Sequence, residues 1–274
     1  MRHDEQTHRT ADGASIFWQQ WLPEGDPVGV VCLVHGLGEH SGRYGYVAER
    51  MTDAGYAVYA LDLRGHGNSG GTRGDLRVDD AVSDIADLVA AAQSDNPDLP
   101  VFLYGHSLGG LLTMTYVVRR RPAVNGMVAS APALDSELRE QKVKFTAANI
   151  LGGIVPGVTI PTGLDAEGVS RDPEVVAAYL ADPLVHDKGS LALAKQTFSA
   201  MDAMMATKRF PIPLLIIHGT ADRLTVPSAS RVFADNTEGD ITLVEYPGMY
   251  HEPHNEPEKA EVLDEVLAWI APHA

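Results

Sequence analysis

Short runs of almost wholly apolar residues recur along this chain, and most are followed by a segment with helical periodicity. The runs are Val28–Val34, Tyr56–Leu61, Val101–Tyr104, Gly126–Ala131, Leu214–Ile217 and Ile241–Tyr246. A strand that is apolar at every position has no solvent face, so it sits in a sheet covered on both sides. Between these runs, Tyr44–Ala54, Val78–Ala92, Leu108–Arg119 and Ser228–Phe233 read as helices. Val82, Ile85, Leu88 and Val89 fall on one face of the second of them. A last helix carries Val262, Leu263, Val266, Leu267 and Ile270 on one side, with Asn255 available as its cap and Pro257 just inside. Ile16–Leu22 alternates instead, and predicts a first, edge strand. The pattern as a whole predicts an α/β fold: a mostly parallel central sheet flanked by helices.

Residues 133–207 break the rhythm. A connection that long without structure of its own would be exceptional, and Pro173–Leu180 and Leu191–Met205 read as helices. The expected organisation is a core of residues 1–132 and 208–274, with residues 133–207 inserted as a cap over the strand C-termini, where open α/β sheets bind ligands. Inside the insertion, Phe145–Leu164 carries no charge. Gly152, Gly153, Pro156, Gly157, Pro161 and Gly163 interrupt it, which argues against a spanning helix. Ile150, Leu151, Ile154, Val155 and Val158 recur there at helical spacing, a stripe suited to packing the cap or to touching lipid aggregates.

Charge narrows the function. Lys and Arg number 21 against 37 Asp and Glu, a net −16. Nucleic-acid affinity comes from cations neutralising phosphates, so nucleic acid is not an expected partner. An anionic bilayer repels such a chain for the same reason. The single cysteine, Cys32, excludes an intramolecular disulfide and a multi-cysteine metal site, and its apolar surroundings predict buried filler. Met1-Arg2-His3-Asp4-Glu5 lacks the basic start and apolar core of a signal peptide, which predicts a soluble, cytoplasmic protein.

The chemistry is written most clearly at Gly105-His106-Ser107-Leu108-Gly109, a G-x-S-x-G between a predicted strand and a predicted helix. That setting demands a tight, strained turn that lifts a hydroxyl above the sheet edge, and it makes Ser107 the candidate nucleophile. A serine needs a base to take its proton and an acid to orient the base. In this fold the chain order is Ser, acid, His. Asp222, in the loop after Leu214–Ile217, stands at the right sheet edge; its rival Asp182 reads as part of a cap turn. Of the eleven histidines, His3, His8 and His273 lie in termini expected to fray, His35, His40, His66 and His106 precede or accompany the nucleophile, His186 is in the cap and His218 precedes Asp222. His251 and His254, after the last strand, can both reach Ser107. His254 abuts the final helix, where capping or packing is its plainer role, so His251 is favoured. Developing oxyanion charge calls for amide donors, available from Leu108 at the helix start and Leu37 in His35-Gly-Leu-Gly38.

The segments His35-Gly-Leu-Gly-Glu39-His40-Ser-Gly-Arg43-Tyr44, Asp62-Leu-Arg-Gly-His66-Gly67-Asn-Ser69, Gly105–Gly109, His218-Gly-Thr-Ala-Asp222-Arg and Tyr250-His251 resemble the monoacylglycerol lipase family, of the α/β-hydrolase fold, over nearly the whole chain. The resemblance implies Ser107, Asp222 and His251 as a catalytic triad, with Leu37 and Leu108 as oxyanion donors. It also implies Glu39, Arg43, His106, Tyr179 and His254 as polar residues at the glycerol end of a lipid ester pocket, although Arg43 and His106 suit loop bracing equally well. No metal or organic cofactor is implied. The activity expected is hydrolysis of a carboxylic ester, first a monoacylglycerol. Lysophospholipase, short-chain esterase and thioesterase activities are the alternatives, and a non-catalytic lipid-binding module is the alternative of another class. An aspartate-nucleophile dehalogenase or epoxide hydrolase is ruled out by serine at 107.

Overall fold

A computed structural model describes residues 1–136 and 157–274. Ten strands and seven helices are labelled in chain order: β1 (Arg2–Arg9), β2 (Ser15–Leu22), β3 (Gly29–Val34), α1 (Gly45–Asp53), β4 (Tyr56–Leu61), α2 (Val78–Asp95), β5 (Val101–His106), α3 (Leu108–Arg120), β6 (Gly126–Ser130), β7 (Thr159–Pro161), α4 (Pro173–Ala181), β8 (Lys188–Ser190), α5 (Leu191–Met205), β9 (Leu214–Gly219), α6 (Pro227–Asn236), β10 (Ile241–Tyr246) and α7 (Lys259–Ile270). Eight strands form one sheet in the order β1-β2-β4-β3-β5-β6-β9-β10. Every pairing from β4 to β10 is parallel, and β1 and β2 run antiparallel at one edge. Together with the helices on both faces this is the α/β-hydrolase fold.

The all-apolar runs are buried on both sides, as their composition requires. In β3, Val30, Cys32 and Val34 point into the core formed with α2, α3, α5 and α6, while Val31 and Leu33 point into the core formed with α1 and α7. The period of two divides the strand between the two layers. Cys32 is fully buried, and burial pushes its thiol up to about 12.

Three readings at the chain ends are corrected. The strand Ser15–Leu22 is not the edge, because Arg2–Arg9 pairs outside it along its whole length. That outer strand carries charged and polar side chains with no apolar alternation, so periodicity gives no sign of it. Its role is cover: His8 stacks on Trp18 at 4.1 Å and His3 on Trp21 at 4.9 Å, leaving both tryptophans buried. His3 and His8 are therefore not frayed, and His273 is held too, its Nδ1 2.7 Å from the Trp269 carbonyl. At the other end α7 starts at Lys259 after Glu258, and Asn255 instead closes a short 3-10 turn, Pro253–Asn255. Pro257 falls between the two, outside the helix.

Within residues 133–207, β7 and β8 pair as a small antiparallel ribbon, and α4 and α5 occupy the two predicted helical segments. Helix α5 buries Leu193, Phe198, Met201 and Met204 in the same core as α2 and α3. The predicted stripe falls mostly outside the described residues, at Ile150, Leu151, Ile154 and Val155; Val158 is half exposed. No helix among the described residues is long and apolar enough to cross a membrane.

Candidate active site

The parallel strands deliver the candidate residues to one edge of the sheet. Leu37 follows β3, Ser107 follows β5, Asp222 follows β9 and His251 follows β10. Ser107 sits at φ 53°, ψ −119°, a conformation that L-residues avoid and that costs on the order of 1–3 kcal/mol. The turn is held on both flanks: the Ser107 amide donates to the Ser130 carbonyl at 2.9 Å, and its own carbonyl accepts from Ala133 at 3.0 Å and Leu111 at 3.1 Å. Such a turn requires that helix and strands nearly touch. A Cβ on Gly109 would lie 2.2 Å from the His35 carbonyl oxygen, and one on Gly105 2.7 Å from the Gly109 carbonyl oxygen. Leu108 opens α3, so its N–H has no intrahelical acceptor. The Leu37 N–H likewise meets no acceptor among the described residues.

His251 and Asp222 are joined directly. The Nδ1 of His251 donates to Asp222 Oδ2 at 2.7 Å, which turns the opposite ring nitrogen away from the carboxylate. Burial pulls the His251 imidazole down, but the charge and hydrogen bond of Asp222 outweigh it, and the ring protonates above its ordinary range. The Asp222 side chain is fully buried, which by itself would raise its carboxyl; His251 and His218 hold it far below the usual carboxylate range. The same Oδ2 accepts from Thr225 Oγ1 at 2.7 Å and from His218 Nε2 at 3.0 Å, and Oδ1 accepts from the amides of Leu224 and Thr225. Asp182, the rival acid, lies at the end of α4 and accepts from His40 Nε2 at 2.9 Å.

Ser107, His251, Leu37 and Leu108 line one cavity of about 610 Å³. Of the five polar residues assigned to its glycerol end, Glu39, His106 and Tyr179 line it, and Arg43 and His254 do not. Arg43 is enclosed by carboxylates: it donates to Glu39 at 2.6 Å and bidentately to Glu252 at 2.7 Å, with the Tyr179 ring stacked over it at 4.6 Å. Glu39 also accepts from the Gly36 amide at 2.6 Å and the Tyr44 hydroxyl at 2.8 Å, which fixes the loop that presents Leu37. Burial would raise Glu252, but the Arg43 guanidinium holds its carboxyl below the usual carboxylate range. Burial pushes the Tyr179 phenol up to about 12.

His254 is fully buried, stacked on Tyr44 at 4.9 Å and edge-on to His106 at 4.8 Å, and neither ring nitrogen has a partner among the described residues. Burial brings it down to about 4. His106 reaches the Ser130 carbonyl and hydroxyl and is pushed well below its ordinary value by burial and then by His251.

Sequence reasoning missed three residues here. Glu252 follows His251 and pairs with a residue more than two hundred positions earlier, which no local pattern signals. Thr225 and His218 flank Asp222 in sequence, and their spacing around it is the one signal that could have drawn attention to them.

The family model described as serine aminopeptidase, S33 (Hydrolase_4), matches residues 25–258. The chain is 44% identical to the monoacylglycerol lipase of Mycolicibacterium smegmatis over 265 residues, covering 95% of this chain and 94% of that one. It is 34% identical to the mouse monoglyceride lipase, covering 95% of this chain and 88% of that one. The crystal structure of the Paleococcus ferrophilus monoacylglycerol lipase superposes with a TM-score of 0.87 at 38% identity, covering 94% of this chain and 99% of that one.

Proposed function

The chain belongs to the monoacylglycerol lipase family of α/β-hydrolases, and on that premise we propose that it cleaves monoacylglycerol to fatty acid and glycerol through an acyl-enzyme on Ser107. It is a carboxylic ester hydrolase. In the proposed mechanism Ser107 Oγ attacks the ester carbonyl while His251 takes its proton and Asp222 stabilises the imidazolium that forms. The amides of Leu37 and Leu108 receive the oxyanion. Collapse releases glycerol, which leaves with the proton from His251. Water then attacks the acyl-enzyme with His251 again as base, and the fatty acid departs.

The observation that carries this reading is the cavity. It joins Ser107 and His251 to apolar walls that include Leu193, Phe198, Met201 and Val169 and to a polar part of the lining, Glu39, Tyr179 and His106. Each methylene buried against such walls contributes about 0.8 kcal/mol, which favours a long acyl chain. A polyol finds fixed donors and acceptors in the polar part. Residues 133–207 act as the cap in this reading. Ile160 and Leu164, exposed yet lining the cavity, make an apolar rim suited to transient contact with lipid aggregates.

Initial rates on monoacylglycerol and triacylglycerol in matched emulsions test the proposal. Monoacylglycerol is expected to turn over much faster, and comparable rates overturn the assignment of substrate. With monoacylglycerol as substrate, His251→Ala is expected to lose about 10³-fold or more in turnover.

A further inference from the structure

Asp222 is held by a second imidazole. His218 is the penultimate residue of β9, between β6 and β10, and its side chain is fully buried. The preceding residues Leu214–Ile217 are all apolar, so packing alone would be served by another aliphatic side chain there. Instead the ring spans two polar groups: Nε2 lies 3.0 Å from Asp222 Oδ2 and Nδ1 lies 2.8 Å from the hydroxyl of Ser230, a fully buried residue in the first turn of α6. An ionised carboxylate only accepts, so Nε2 carries the hydrogen and donates to Asp222. In the neutral ring Nδ1 is then the acceptor, and the Ser230 hydroxyl donates to it.

We infer that His218, oriented by Ser230, is a positioning residue for the Asp222–His251 pair: it fixes the carboxylate that orients His251 and takes up part of its charge. The inference rests on Asp222 and His251 acting as orienter and base. Three side chains donate to one carboxylate oxygen, and only one of them, His251, reaches the cavity as a base. The other two, His218 and Thr225, decide how strongly that oxygen pulls on the His251 proton. A donor removed from a carboxylate leaves it more basic, so the imidazolium of His251 becomes easier to form. The other titratable groups facing His251 are Glu252, Glu39, His106 and His254, with Arg43 behind the two glutamates. They stay in place when residue 218 is changed.

The test is the rate at which a fluorophosphonate labels Ser107, followed against pH, because it reports activation of the serine whatever the lipid substrate. Three variants divide the possibilities. His218→Leu removes both polar contacts. In His218→Gln the terminal amide nitrogen reaches as far as Nε2 and keeps the donor to Asp222. In His218→Asn the shorter amide stops near the Nδ1 position and keeps only the Ser230 side. We expect the Leu and Asn variants to lose roughly 10- to 100-fold in labelling rate. Their acid limb should move up by roughly 0.5–1 pH unit, while the Gln variant keeps the wild-type limb and most of the rate. If His218→Leu does not fold, the Gln and Asn variants alone decide. Equal losses in Gln and Asn with an unmoved limb would mean that the imidazole only fills space, and unchanged rates in both would mean that it does nothing for the pair. Either result overturns the inference. Asp222→Asn with undiminished labelling would instead overturn the pair itself, whatever residue 218 does.

Discussion

Burying His254 neutral makes the fold sensitive to mild acid, by an amount that can be worked out. The ring protonates near 4 in the folded protein against about 6.5 when free. Between those values the unfolded chain binds the proton and the folded chain does not, so stability is complete above pH 6.5 and is lost as pH falls toward 4. For this one group the loss is negligible at pH 7.5, about 2 kcal/mol at pH 5, and about 3.4 kcal/mol once both states are protonated. His254→Phe removes the titration and also two buried nitrogens without partners among the described residues, and an aromatic ring suits the stack on Tyr44. Urea unfolding of both proteins at pH 7.5 and pH 5 measures the effect. The wild type should lose about 2 kcal/mol more than the variant between the two conditions. His35 and His66, also lowered by burial, add acid sensitivity of the same sign to both proteins, and it cancels in the comparison. Equal losses would refute the reasoning, because His254 would then accept its proton without cost.

Three further outcomes follow from the same contacts. Ester hydrolysis needs His251 neutral, and Asp222 raises its protonation, so kcat/KM on an uncharged ester should fall through a midpoint above pH 6.5; a midpoint below 6 contradicts the Asp222–His251 coupling. Gly109→Ala drives a methyl into the His35 and Val34 carbonyl oxygens, at 2.2 and 2.4 Å, and should cost about 3 kcal/mol or more, read as a fall in Tm of roughly 6–12 °C. Arg43→Met leaves Glu39 and Glu252 buried without their cation and should destabilise by about 3–5 kcal/mol in urea unfolding, whereas a surface-like loss under 1 kcal/mol would deny the network its role.

The parallel strands and the residues at their C-terminal ends were legible because both are local. An unbroken apolar run signals a doubly covered strand, and G-x-S-x-G signals a turn that few other sequences satisfy. What stayed hidden depends on partners distant in sequence. The strand Arg2–Arg9 joins through its backbone and two histidine–tryptophan stacks, so its side chains carry no periodic signal. His254 matched a pocket residue by resemblance, but Tyr44 and His106 enclose it behind the cavity wall. Arg43 suits either role by sequence, and only its two carboxylates decide for bracing. His218 stands four residues before Asp222, yet its contact depends on the course of the loop after β9 and on a serine from α6.

The central claim is that hydrolysis passes through Ser107. Titrating the protein with a fluorophosphonate, mapping the adduct by peptide mass, and assaying residual monoacylglycerol hydrolysis at each step tests it most directly. The account predicts one adduct, on the peptide bearing Ser107, with activity falling in proportion to the labelled fraction and no labelling of Ser107→Ala. An adduct on another residue, or full labelling of Ser107 with activity retained, would contradict it.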